Sequence, residues 1–283
     1  MIKRLFLLTL FFTSFVFSDD IGEKKRYGYS YLAIGMQHTY YTQDFHSTDG
    51  NYKLKSTSYS PYYTTATLTR VNQKFGFEIY AASTLFASST DEYLSSETTQ
   101  NQHKLDMTLT DVAFTLHYKP LNEYHRLTIG GRYTYEVLTR YKISNPTVKI
   151  NSINNTNSSI IENKIAAITL DIGYLYMNKI ETGTKGINYR VGASFGIPFF
   201  SATADTYTDD SFQLNPTWGF KITANGYLGY TLFSGLELGG YLDLLYQAKF
   251  DDIQGNDPNG KYIKSKDSIK TLVNYGILAT WSF

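Results

Sequence analysis

The sequence predicts an all-β fold: a closed, antiparallel, up-and-down transmembrane β-barrel of about ten strands, with eight or twelve as the alternatives. Three observations predict it. From Tyr27 onward apolar and polar side chains alternate with period two, the pattern of strands whose two faces meet different surroundings. The connections between these segments sort by length, long after odd-numbered strands and short after even-numbered ones. The 283-residue chain is 16 % aromatic, with 26 Tyr, 18 Phe and 2 Trp, and no internal run approaches the roughly 20 apolar residues of a membrane-spanning helix.

Taken in order, the chain opens with an address. Met1–Ser18 has a positive start at Lys3 and Arg4 and an apolar stretch from Leu5 to Val16. This is the pattern of a secretory signal peptide cleaved between Ser18 and Asp19, which leaves 19–283 as a single domain beyond the inner membrane. The first two strands, Tyr27–Tyr41 and Ser58–Val71, carry Tyr and Thr on both faces, so their facing is open. Segment 74–87 sets Phe75, Phe77, Ile79 and Ala81 against Glu78 and Tyr80. Segment 104–118 sets Val112, Phe114 and Leu116 against Asp111 and His117.

The later strands alternate more strictly. Segment 124–140 opposes Leu127, Ile129, Tyr133, Tyr135 and Val137 to Arg126, Arg132 and Glu136; segment 164–178 opposes Ile168, Leu170, Ile172, Tyr174 and Tyr176 to Thr169 and Asp171. Segment 187–199 opposes Tyr189, Val191, Phe195, Ile197 and Phe199 to Arg190 and Ser194. In 217–230 and 236–250, Trp218, Ile222, Leu228, Leu238, Leu242, Leu244 and Tyr246 oppose Lys221, Asn225, Glu237, Asp243 and Lys249. Segment 267–283 closes the set. Linkers 42–57, 88–103, 141–163, 201–216 and 251–266 are long and polar, whereas 72–73, 119–123, 179–186 and 231–235 are short turns. A barrel with long surface loops at one end and tight turns at the other has this arrangement.

In hydrocarbon every backbone N–H and C=O needs a partner, so such a sheet must close. Pro61 and Pro198 are expected near the long-loop ends of their strands, where a missing donor is tolerated. Tyr174, Tyr176, Tyr189, Tyr230 and Trp281 toward one end, and Tyr135, Phe199, Trp218 and Tyr246 toward the other, suit two aromatic girdles at headgroup depth. The opposite face then lines the lumen with six acids and six bases: Glu78, Asp111, Glu136, Asp171, Glu237, Asp243, Arg126, Arg132, Arg190, Lys221, Lys249 and Lys270. In so narrow a barrel, balanced charges are expected to pair across the interior, leaving little bore and weak ion selectivity.

The chain ends NYGILATWSF, with Tyr275, Ile277, Ala279, Trp281 and the terminal Phe283 on one face. This strand resembles the assembly signal of bacterial outer-membrane β-barrel proteins, the broad superfamily that includes small OmpA-like and porin-like barrels. The resemblance covers the whole mature chain. It implies an outer-membrane location in a Gram-negative cell, contact with outer-membrane lipids and lipopolysaccharide, and recognition by the barrel-assembly machinery.

A net charge of +1 gives no basic field for nucleic acid, and the absence of Cys removes disulfides and thiolate metal sites. No cofactor or metal is expected. Asp251, Asp252, Asn256, Asp257 and Asn259 gather oxygen atoms in one linker, yet lack the spacing of a calcium loop and include turn chemistry. Asn154 and Asn157 lie in glycosylation sequons that mark a polar loop. A ten-strand barrel also resembles in size the omptin surface proteases, for which Asp44, His46, Asp91, Glu92, Asp209 and Asp210 are the rim candidates. A rim lipid hydrolase would draw on His103, His117 or His125. No motif singles any of these out. The expectation is therefore a non-enzymatic barrel with a structural or surface-interaction role or a narrow, weakly selective pore. The alternatives are a general or substrate-specific porin, an adhesin, and a rim protease or lipid hydrolase; the extracellular ligand is open.

Overall fold

In a computed structural model of the chain the described residues are 28–47, 50–72, 74–95, 100–122, 124–141, 161–178, 186–205, 211–233, 235–250, 253–256 and 262–282. Residues 1–18, read above as a signal peptide, the expected cleavage site after Ser18, and Phe283 lie outside them. Twelve strands form one antiparallel sheet: β1 (Gly28–Ser47), β2 (Gly50–Arg70), β3 (Phe75–Thr84), β4 (Thr90–Ser95), β5 (Gln100–Tyr118), β6 (His125–Tyr141), β7 (Ile161–Met177), β8 (Gly186–Asp205), β9 (Ser211–Phe233), β10 (Leu236–Phe250), β11 (Ile253–Asn256) and β12 (Tyr262–Ser282). β1 pairs with β2 on one side and β12 on the other, so the sheet closes. β4 continues β3 between β2 and β5, and β11 continues β10 along β12. The result is a barrel of ten staves.

Following paired residues once round the barrel leads from Tyr29 through Leu68, Glu78, Thr115, Gly130, Asp171, Gly196, Lys221, Gln247 and Lys270 to Tyr41, twelve residues further along β1. With ~3.3 Å per residue and ~4.8 Å between strands, that shift tilts the staves by about 40°. On this geometry Tyr176, Tyr189, Tyr230 and Trp281 share one level, and Tyr135, Phe199, Trp218 and Tyr246 lie about 25 Å above them, the height of an outer-membrane belt. Tyr174 lies one step inside the lower ring. Between the rings the outward side chains include Ile129, Ile168, Leu170, Ile172, Val191, Phe195, Ile222, Leu242 and Ile277, all exposed and nearly all aliphatic.

The structure settles β1 and β2. Tyr29, Ala33, Gln37, Thr39 and Tyr41 point inward, and Leu32, Ile34 and Tyr40 point outward; on β2 the even-numbered residues from Leu54 to Leu68 face in.

The expected linkers are corrected. Residues 42–57 are mostly strand, because the β1–β2 ladder runs without a break in pairing up to Ser47 opposite Gly50. Parts of 88–103, 201–216 and 251–266 are likewise paired in β4, β5, β8, β9, β11 and β12. Above the bilayer both faces of a hairpin meet water, so backbone pairing continues after the apolar alternation stops. Of linker 141–163 all but 141 and 161–163 lie outside the described residues, as do Asn154 and Asn157. For the same reason Pro61 and Pro198 sit inside long strands rather than near their ends. Pro61 lies beside the gap between β3 and β4, where its carbonyl accepts a hydrogen bond from Leu85 N at 2.9 Å. At Pro198 the β8–β9 pairing skips from Gly196 to Phe199.

Candidate functional site

The period of two that puts aliphatic side chains on the outside delivers every second residue to the lumen, and the tilt arranges those residues in layers. All twelve charged residues read from the sequence point inward. At the lower level Arg190 lies over the rings of Tyr227 (4.2 Å), Tyr29 (4.5 Å) and Tyr31 (5.9 Å), and donates to Thr280 Oγ1 at 3.1 Å. Tyr29 donates to Glu78 at 3.4 Å, and Asn188 and Thr231 bond Glu237. Arg126 is buried beside His117 and Lys119 at the same end.

The middle layer is a four-residue network. Arg132 ion-pairs with Asp111 and, at 3.2 Å, with Asp171; Lys221 reaches the same Asp171 oxygen at 2.8 Å. The Arg132 guanidinium also lies 5.0 Å from the centroid of the Tyr80 ring, whose hydroxyl bonds that of Tyr62. Gly196, directly across from Asp171, is needed here, since a methyl on it would collide with the Asp171 carboxylate. Higher still, Lys270 pairs with Glu136, near Lys249 and Gln247.

About 10 Å above the upper aromatic ring, on the same geometry, Arg140 meets Glu92 in a two-pronged bond of 2.5 and 3.2 Å. Their side chains are 3 % and 0 % exposed. Burial pulls the Arg140 guanidinium down, but Glu92 more than offsets this and holds it above its usual range. Arg140 was not singled out in the sequence. The signal was present: it shares the even-numbered face of β6 with Arg126, Arg132 and Glu136.

The lumen also holds apolar clusters that alternation does not announce. Leu105, Met107 and Leu138 pack together near the top; Tyr62, Ala82, Leu109 and Leu272 pack at mid-height; Tyr29, Leu68 and Met177 close the lower end. Between these layers remains a cavity of about 230 Å³ touched by all ten staves, with a smaller one of about 50 Å³ above it.

At the rim Asp44 pairs with Lys53 at 3.5 Å, Asp91 with Lys104 at 2.5 Å, and Glu92 with Arg140. The bond to Asp91 raises the Lys104 ammonium above its ordinary value. His125 bonds the Tyr174 hydroxyl at the opposite end, and His117 is buried in the lumen, so the structure does not bring these two to the rim. Asp209, Asp210, Asp251, Asp252, Asp257 and Asn259 lie outside the described residues, as do the side chains of His46, His103 and Asn256. Among the described residues no three acids or histidines are grouped to hold a metal.

An aliphatic, aromatic-edged exterior around a charged, packed interior defines a transmembrane β-barrel of the outer-membrane type. One solved structure shares the fold closely enough to compare. The chain is similar to the outer membrane protease OmpT from Escherichia coli, with a TM-score of 0.65 and 11 % identity over 94 % of this chain and 99 % of that one. The toluene transporter TbuX from Ralstonia pickettii matches at 0.43 and 10 % identity over 92 % and 90 % of the two chains. The translocator domain of autotransporter NalP from Neisseria meningitidis matches at 0.41 and 8 % over 90 % and 89 %. No family model matches the sequence, and no curated protein matches it.

Proposed function

We propose that the protein is an integral outer-membrane barrel with a sealed interior, a non-enzymatic scaffold that carries its extended hairpins at the cell surface. One observation carries this reading: the ion pairs among Asp111, Arg132, Asp171 and Lys221 join side chains from four staves, with one apolar cluster above them around Leu105 and another below around Leu68. A general porin needs a continuous aqueous path, and this packing opposes one. Lipopolysaccharide and outer-membrane lipids surround the belt, and the assembly machinery reads the strand from Tyr275 through Ile277, Ala279 and Trp281 to Phe283.

The fully buried, ion-paired state of Glu92 supports the non-enzymatic part of the reading, since a general base needs an available carboxylate. The likeness in fold to a protease brings no residue role at 11 % identity. Purified protein in a planar lipid bilayer tests the proposal. The expected record is silent or shows small, brief steps of weak selectivity; a large, stable open level would overturn it. Turnover of a peptide or phospholipid that is lost on Asp44→Asn or Asp91→Asn would overturn the non-enzymatic part.

A further inference from the structure

The wall of the central cavity carries four acids and four bases, and not all of them are ion-paired with one another. Of its charged lining, Asp111, Asp171, Arg132 and Lys221 neutralise one another, and Lys270 is taken by Glu136. Glu78, Asp243 and Arg190 remain, with Arg190 and Arg126 both acting electrostatically on Glu78. Arg190 is committed to the rings of Tyr29 and Tyr227 at the lower level. The Asp243 carboxylate has no ion pair within 4 Å among the described residues. It lies within electrostatic reach of Arg132 and of Tyr31, Tyr62, Tyr80 and Tyr241.

Two buried neighbours point the same way. Asn274 stands directly across from Asp243 on β12, 7 % exposed, and its Oδ1 has no hydrogen-bond partner; the Tyr241 hydroxyl, two residues along β10, has none either. A carboxylate, an amide oxygen and a phenol oxygen, all on residues lining the same cavity, make a hard-oxygen donor set without nitrogen or sulfur. One carboxylate is too few for calcium, which gathers several. An isolated buried anion is costly until it is neutralised.

We infer that this cavity holds a monovalent cation, an alkali ion or a small ammonium group, with the Asp243 carboxylate as its counter-charge and Asn274 Oδ1 as a second ligand. The site does not depend on whether the barrel conducts, because it is defined by the wall and not by a path through it.

The test is the thermal unfolding midpoint of the refolded full-length mature barrel in detergent, at one ionic strength, in sodium, potassium, methylammonium and N-methyl-D-glucamine chlorides. The bulky glucamine cation is the reference. The site predicts a saturable rise of about 2–4 °C in at least one of the small cations once its concentration exceeds the dissociation constant severalfold. Sodium and potassium acting alone would identify an alkali site, and methylammonium acting alone an ammonium site; either supports the inference. Asp243→Asn should abolish the difference between salts. Asn274→Leu, which keeps the charge, should reduce it and carries the test if the first variant does not fold. Equal midpoints in all four chlorides, or an undiminished difference in Asp243→Asn, would overturn the inference.

Discussion

Glu92→Gln is expected to be among the most damaging single substitutions outside the membrane belt. Its carboxylate is fully buried and its partner Arg140 is 3 % exposed, so solvent screens neither group. Removing one partner of such a pair leaves the other charge buried without a counter-charge, which costs about 3–5 kcal/mol. Replacing both together, as Glu92→Leu with Arg140→Met, removes the desolvation along with the attraction and is expected to be close to neutral. The assay is urea unfolding of the barrel in lipid bilayers, run as a double-mutant cycle. A coupling of several kcal/mol is predicted. If Glu92→Gln costs less than about 1 kcal/mol, the value typical of an exposed pair, then the upper barrel is open to water and the sealed-lumen reasoning fails.

Other substitutions probe the remaining layers. Ile172→Arg, at an outward position 55 % exposed and midway between the two aromatic levels, should cost about 2–4 kcal/mol, whereas Tyr189→Arg at the lower of those levels should cost about 0–1 kcal/mol; equal costs would contradict a lipid belt between them. Gly196→Val should push Asp171 off Lys221 and Arg132 and cost about 1–3 kcal/mol by overpacking, read from the same unfolding curves. Arg132→Gln combined with Lys221→Gln leaves Asp111 and Asp171 uncompensated, so any current through that variant should favour cations, read as a reversal-potential shift in a potassium chloride gradient.

How much was legible depended on what each stretch of chain faces. On β7 and β8 one face meets lipid and the other a polar lumen, so the alternation from Ile168 to Tyr176 and from Tyr189 to Phe199 shows the strand and its facing together. β2 places Thr65, Thr67 and Thr69 outward and Tyr62, Thr64 and Ala66 inward. Polarity does not separate those faces, and only the closed geometry does. The hairpin above Tyr41 was invisible because water on both sides imposes no pattern on side chains. Leu68, Leu105, Leu109 and Leu272 occupy positions whose period marks them as luminal while their chemistry marks them as core. Partners were the least legible of all: Arg132 meets residues 21 and 39 positions away, and Arg140 meets one 48 away, and neither spacing is local to a strand.

The orientation of the sheet underlies all of this, and single-cysteine spin labels along β7 test it most directly, since the chain has no Cys of its own. In lipid bilayers, labels at 168, 170 and 172 should be strongly relaxed by oxygen, which concentrates in hydrocarbon, and labels at 167, 169 and 171 should be shielded from it. A reversed pattern, or no alternation at all, would mean that the aliphatic face does not meet lipid.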